Sequence, residues 1–318
     1  MGAIVEVKHL KKYFPTPKGA LHAVDDVSFK IEEGTTLGVV GESGCGKSTL
    51  GRTIIHLQDS TDGQILFDGE DITHVDRKQL SELRHKMQII FQDPFSSLNP
   101  RMTVDDTINE PIRRSGKYSK DEIARETTKL MELVGIDSRM RRAYPHELDG
   151  GRRQRVGIAR ALAMNPRFIV CDEPVSALDV SIQAQILNLL QDLQEERHLT
   201  YMFITHDMSV VRHLSTDIAV MYLGQMVEIS PAKEIFLKTL HPYTKVLLSA
   251  IPSTDIDHPK QRILVKGELV SPIEPKPGCR FYARCPYATE ECTKPQHLEE
   301  VLPKHYVACC HARSLNGL

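Results

Sequence analysis

The stretch Gly41-Glu42-Ser43-Gly44-Cys45-Gly46-Lys47-Ser48-Thr49 constrains this chain more than any other. Before it lies Thr36 to Val40, a short, nearly all-apolar run that suits a strand buried on both faces. After it, Ser48 to Leu57 has helical character. The pattern G-x-x-x-x-G-K-[ST] between a strand and a helix is a phosphate-binding loop, or P-loop. Its glycines let backbone N–H groups curl around phosphate oxygens, and the helix start adds partial positive charge. Lys47 is placed to reach β- and γ-phosphates, and Ser48 to ligate Mg2+. Gly41, Ser43, Gly44, Gly46 and Thr49 complete the cradle, with Cys45 as a small filler.

A second segment strengthens the first. Phe168 to Cys171 is an apolar strand that delivers Asp172 and Glu173 to its C-terminal end. Asp172 suits the Mg2+ shell, and Glu173 suits a general base that polarises water attacking a phosphate. Two acids after a strand are weak evidence alone; joined to a P-loop they are strong.

The remaining chain supports an α/β fold. Ile4 to Val7, Val24 to Ile31, Gln64 to Phe67, Gln88 to Phe91 and Tyr201 to Ile204 read as strands. Val104 to about Ile136, Gly151 to Met164 and Ile182 to Leu193 read as helices. This alternation predicts a largely parallel sheet with helices on both faces and a helical insert. The stretch Ile251 to Pro277, rich in Pro, Asp and Lys, reads as a linker or extended loop.

Composition removes other classes. The 318 residues are 41% hydrophobic and 26% charged, which excludes disorder and collagen-like structure. No apolar run approaches the ~18 residues that span a bilayer. Met1 to Tyr13 lacks the basic-then-apolar order of a signal peptide, so a cytoplasmic location is expected. Lys+Arg 40 against Asp+Glu 42 gives a net charge of −2, and no nucleic-acid partner is expected.

Further motifs match, in order, those of ABC-transporter ATPase subunits, which the sequence resembles over nearly its whole length. Gln92, in I-I-F-Q-D-P, fits the Q-loop glutamine, which in that family contacts Mg2+ and faces the membrane subunit. Ser176 to Asp179, S-A-L-D, fits the D-loop, and His206, in F-I-T-H-D, fits the switch histidine at the γ-phosphate. Phe14 falls where the family stacks an aromatic on adenine; adjacent Tyr13 could substitute, or both rings could pack on the sheet. The resemblance implies a P-loop ABC ATPase fold with a mixed or parallel sheet core. The expected division is a nucleotide-binding domain over 1–240, with a helical subdomain at about 93–165, and a small cysteine-rich C-terminal domain over 241–318.

The signature segment departs from the family norm L-S-G-G-Q. Here it is Leu148-Asp149-Gly150-Gly151-Arg152. In the family this segment contacts the γ-phosphate of ATP held by the opposite subunit of a head-to-tail dimer. Asp149 presents a carboxylate to that anion, and like charges at contact repel by ~1 kcal/mol in water, more where water is excluded. Arg152 or Arg153 is placed to compensate in part, or a small loop shift tolerates the change. The expectation is two unequal sites and a heterodimer with a second ATPase subunit.

His241 to Pro252 and Gly278 to Ala288 resemble the C-terminal segments of oligopeptide and dipeptide importer ATPases, as does Leu21 to Phe29. The resemblance implies two transmembrane permease subunits, an extracytoplasmic binding protein and a position on the cytoplasmic face of the membrane. Peptides are the implied solute, with nickel or another small solute as the alternative, and a regulatory subunit with little hydrolysis as a second. Soluble ABC proteins of ribosomes or DNA usually carry two cassettes or coiled-coil arms, neither of which occurs here.

Five of the seven cysteines lie in the tail. Cys279, Cys285, Cys292 and Cys309 have the spacing C-x5-C-x6-C-x16-C, with Cys310 an alternative fourth ligand. Four thiolates hold a 4Fe–4S cluster or a Zn2+ ion, or stay as reduced thiols, and spacing does not decide among them. The subfamily resemblance implies the 4Fe–4S cluster.

Overall fold

The computed structural model describes residues 2–251, 262–265, 267 and 270–318. Most of the expected linker before residue 270 lies outside the described residues. The chain divides into two compact units, Met1–His74 with Phe203–Leu318, and Val75–Met202. No helix among the described residues is long and apolar enough to cross a membrane.

The first unit opens with β1 (Ala3–Thr16) and β2 (Gly19–Glu32), an antiparallel pair in which Val7 faces Phe29 and Phe14 faces Leu21. Val5, Val7, Leu10, Val27 and Ile31 are buried from these strands. Next comes β3 (Thr36–Val40), buried at every position, and α1 (Lys47–Ile54) after the P-loop. Strands β4 (Asp62–Phe67) and β5 (Glu70–Asp71) complete an antiparallel sheet in the order β2-β1-β4-β5.

The second unit starts with α2 (Arg77–Lys86) and β6 (Met87–Ile90). Helices α3 (Val104–Ser115) and α4 (Lys120–Leu133) follow, each opened by a capping box, at Thr103 and Ser119. The sequence reading runs them together; Gly116, at φ 68°, ends α3 and breaks the stretch. Then come α5 (Gly150–Leu162), β7 (Phe168–Asp172) and α6 (Val180–Arg197). α3 packs on α4 and α5, α5 packs on α6, and β7 is parallel to β6.

β8 (Thr200–Thr205), wholly buried, carries the chain back to the first unit. There α7 (Met208–Leu214) packs on β3, and β9 (Asp217–Tyr222) pairs parallel with β3. β10 (Gln225–Pro231) turns back antiparallel to β9. Helices α8 (Ala232–Leu237) and α9 (Pro242–Ser249) follow, then β11 (Glu299–Leu302) and β12 (His305–Val307). β12 pairs antiparallel with β10, and β11 with β12. The parallel pairs agree with the sequence reading. The antiparallel strands β10, β12 and β11 extend the pair of β3 and β9, in keeping with a mixed sheet core.

One carboxylate ties the tail in place. Glu228 of β10 is fully buried and accepts hydrogen bonds from the backbone N–H groups of Leu240 (2.8 Å) and His241 (3.1 Å). Its Oε1 also lies 2.7 Å from His305 Nε2 of β12. His241 caps α9, its Nδ1 accepting from the Tyr243 N–H at 3.1 Å, so the ring is neutral at that atom. Burial lowers this imidazole from 6.5 to about 4, with the Glu228 carboxylate opposing in part. The unfolded chain therefore binds more protons between those values. The stability contributed is complete above pH ~6.5 and is lost as pH falls toward ~4, by about 3 kcal/mol at most. Denaturant midpoints are expected to fall over this window, and to fall less in His241→Asn, which keeps a capping acceptor. Parallel curves for the two proteins would contradict the assignment.

Candidate nucleotide site and cysteine centre

The P-loop leaves the buried end of β3 and turns into α1. Its path depends on missing side chains. A Cβ on Gly46, at φ 106°, would stand 1.9 Å from Ala23 O, and one on Gly41 would stand 2.1 Å from Met221 O. The backbone therefore approaches β2 and β9 more closely than any other residue permits. Ser43 and Gly44 form the exposed crown, while Cys45 is buried. Lys47 is buried too, and its Nζ donates to the carbonyls of Gly41 (2.8 Å) and Glu42 (3.0 Å). The ammonium is thus held inside the loop it is expected to serve. Ser48 and Thr49 begin α1 and are half-buried.

In the second unit, Asp172 is the buried last residue of β7, and Glu173 follows at φ 46°. A glutamate in the left-handed region is strained by about 1–3 kcal/mol, a cost usually met at functional positions. Exposed Gln92, just beyond β6, donates from Nε2 to Glu173 Oε2 at 2.8 Å. Two residues singled out separately in the sequence are therefore in contact. Asp179 is exposed at the start of α6, and in the first unit His206 is exposed after β8.

The signature segment opens α5, and Asp149 is its N-cap. Its Oδ1 accepts from the Arg152 N–H at 2.8 Å, and its Oδ2 pairs with Arg152 Nη1 at 3.3 Å. The Asp149 carboxylate thus caps its own helix start. Of the two compensating arginines, Arg152 pairs with Asp149. Arg153 instead donates to Pro145 O at 2.6 Å and covers the Phe95 ring. A Cβ on Gly151 would stand 2.7 Å from Ile182, so this glycine permits the close contact of α5 with α6. Leu148 is buried beneath, and Gly150 sits in the first turn. Asp149→Ala is expected to lower stability by about 1 kcal/mol, while Asp149→Ser, another good cap, leaves the denaturant midpoint nearly unchanged. Equal losses would contradict the capping role.

Tyr13 and Phe14 are both half-buried on β1. The Tyr13 ring stacks on His22 at 3.9 Å between centroids, and its hydroxyl donates to Asp25. The Lys12 ammonium lies over the Phe14 ring, 4.9 Å from the centroid. Tyr13 is the more committed of the pair.

Comparison with known proteins decides the family. The ABC transporter family model matches residues 24–176, and the model for the C-terminal region of oligopeptide/dipeptide transporters matches 227–292. The oligopeptide transport ATP-binding protein AppF of Bacillus subtilis is 49% identical over 96% of this chain and 96% of its own length. OppF of Salmonella typhimurium, similarly named, is 48% identical over 96% and 92%. The chain belongs to the ABC-transporter ATPases. Among solved structures, the ATP-binding cassette MJ0796, a dimer in a post-hydrolysis state bound to ADP and Pi, aligns with TM-score 0.66 at 30% identity, covering 72% of this chain and 98% of its own. Cassette cbiO1 of Clostridium perfringens aligns with TM-score 0.67 at 29% identity over 75% and 92%. The activity of this ABC ATPase is hydrolysis of ATP.

The tail of the ABC ATPase gathers its thiols. Cys279, Cys285, Cys292 and Cys309 line one small cavity with Phe281 and His311. Gly278, at φ 103°, lets the first of them close on the third: a Cβ there would stand 2.6 Å from Cys292 O, and Cys279 N–H donates to that same carbonyl at 2.8 Å. Burial pushes the Cys279 thiol up to about 12, and the Cys285 and Cys309 thiols upward too. Such thiols stay protonated at neutral pH. Cys310 does not line this cavity. Its Sγ lies 3.8 Å from Cys292 Sγ, and Cys292, Cys310 and His311 bring their ligand atoms within 4.8 Å of one another. Cys292 is shared by both groupings, and His311 was not among the sequence candidates.

Proposed function

We propose that this ABC ATPase powers import of oligopeptides, working at the cytoplasmic face of the membrane on two transmembrane permease subunits fed by an extracytoplasmic binding protein. The observation that carries this reading is the match to peptide-transport ATP-binding proteins, which runs through the C-terminal region as well as the cassette. In this reading Lys47 and the amides of 41–49 bind the phosphates, Phe14 stacks on adenine, and Ser48, Gln92 and Asp172 serve Mg2+. Glu173, held by Gln92, takes a proton from water as its oxygen bonds to the γ-phosphorus and the bond to the bridging oxygen of ADP breaks. His206 contacts the γ-phosphate, and Asp179 belongs to the dimer face. Pairing is head-to-tail with a second ATPase subunit that receives the segment 148–152.

Uptake of labelled tripeptide or pentapeptide by cells lacking this chain tests the proposal. Restoration by the parent chain but not by Lys47→Ala is expected. Unimpaired uptake without the chain would overturn the peptide assignment, and restored nickel uptake would replace it.

For the tail, we propose a 4Fe–4S cluster on Cys279, Cys285, Cys292 and Cys309, with Zn2+ as the alternative. The four thiols around one cavity support it. When bound, the group would cross-link a segment with little core of its own. Iron and acid-labile sulfide in anaerobically purified protein would bear this out; zinc without sulfide would select the alternative.

A further inference from the structure

The turn Cys279–Cys285 carries two arginines that reach into the nucleotide-binding unit in different directions. Arg284 Nη1 donates to both carboxylate oxygens of Glu42, at 3.1 and 3.0 Å, and lies 3.2 Å from Tyr222 Oη. Glu42 is the second residue of the P-loop. Its backbone N–H donates to Tyr243 Oη at 2.9 Å, and its carbonyl accepts from Lys47. The carboxylate and the backbone N–H of Glu42 are therefore both held by residues after position 240. The pair is sheltered, with 15% of the Arg284 side chain and 28% of the Glu42 side chain exposed.

Between the arginines, Phe281 is 1% exposed and wedges against Tyr222 and Tyr243, each 5.4 Å away between ring centroids. Arg280 leaves the other side and pairs with Asp25, the carboxylate that accepts from Tyr13 and lies 3.2 Å from His22 Nδ1. The turn is thus pinned at its centre, with a cation extended to either side.

The chemistry poses a problem that Arg284 solves. A loop that must hold a polyanion carries an acidic side chain at its second position. A carboxylate left unpaired beside phosphates repels them, more strongly where water is excluded. The glycines of the loop supply no side chains to fix its path, so contacts from outside add to those that Lys47 and Cys45 make within it.

We propose that the turn Cys279–Cys285 is a latch on the nucleotide site, with Arg284 as the positioning residue that neutralises Glu42 and fixes the P-loop. The proposal rests on the reading of 41–49 as the phosphate cradle, and is independent of what the cysteines hold.

The test is ATP affinity of the full chain, measured by equilibrium dialysis alongside a thermal melt. Arg284→Ala is expected to weaken ATP binding about tenfold, the size of one sheltered charge contact. Arg284→Lys is expected to recover part of the loss, since an ammonium restores the charge but not the guanidinium geometry. The decisive variant is Glu42→Gln, which removes the charge to be neutralised. In that background Arg284→Ala should cost less than about twofold. Equal losses in both backgrounds would mean Arg284 acts only through general packing, and parent-like binding by Arg284→Ala would equally overturn the latch. Should Arg284→Ala melt early, Arg284→Gln carries the same comparison. Lys47→Ala separates the two layers: if it too binds ATP normally, the cradle reading fails, whereas weak binding by Lys47→Ala beside normal binding by Arg284→Ala removes the latch alone.

Discussion

Glu173→Gln is expected to slow ATP hydrolysis by roughly 10^2–10^4-fold while leaving ATP bound, the range for loss of a general base. Glutamine is nearly isosteric and can still accept the bond from Gln92, so the geometry at the end of β7 survives and only the basic oxygen is lost. Phosphate release in a single turnover, measured with nucleotide binding on the same sample, reads both quantities. Hydrolysis at the parent rate would remove Glu173 from the base role. The backbone adds a second sign. Glu173 sits at φ 46°, where glycine carries no steric penalty, so Glu173→Gly is expected to raise stability by about 1 kcal/mol while abolishing turnover.

Glu228→Ala is expected to cost about 3–5 kcal/mol, the largest stability loss we foresee in the first unit. Truncation strands the N–H groups of Leu240 and His241 and the Nε2 of His305, all partnered by this one carboxylate in the interior. In a chain of this size the melting temperature should drop by roughly 4–7 °C. Glu228→Gln, which keeps acceptor capacity, should lose less. A melting temperature within about 2 °C of the parent for the alanine variant would mean the tail is anchored elsewhere.

Local patterns were legible in the sequence, and reach was not. The P-loop, β3, β7 and α5 were readable because each depends on neighbours in the chain: an apolar run, a glycine pattern, a following helix. The carboxylate of Asp149 could be located but not oriented. The family resemblance implies that it faces an anion on a partner subunit; the backbone makes it a helix cap paired with Arg152. Arg280 and Arg284 passed unnoticed between cysteines because their partners, Asp25 and Glu42, lie more than two hundred residues earlier. Contacts of that range leave no periodicity. The likeness of Tyr13 and Phe14 as candidates dissolves for a simpler reason: adjacent strand residues point to opposite faces, and Tyr13 faces His22 and Asp25.

The pairing of β12 with β10 has a consequence for solubility. An open sheet ending on a buried, apolar-rich strand invites a second molecule to add to it. Cut after residue 240, this chain would expose β10 as such a rim, with Met226, Val227 and Glu228 laid open. In the intact chain β12 covers that rim, and the edge strand, β11, begins with two exposed glutamates, Glu299 and Glu300. Paired charges of one sign repel an identical strand approaching from another copy. The chain after residue 240 thus shields the rim of β10 from a second copy.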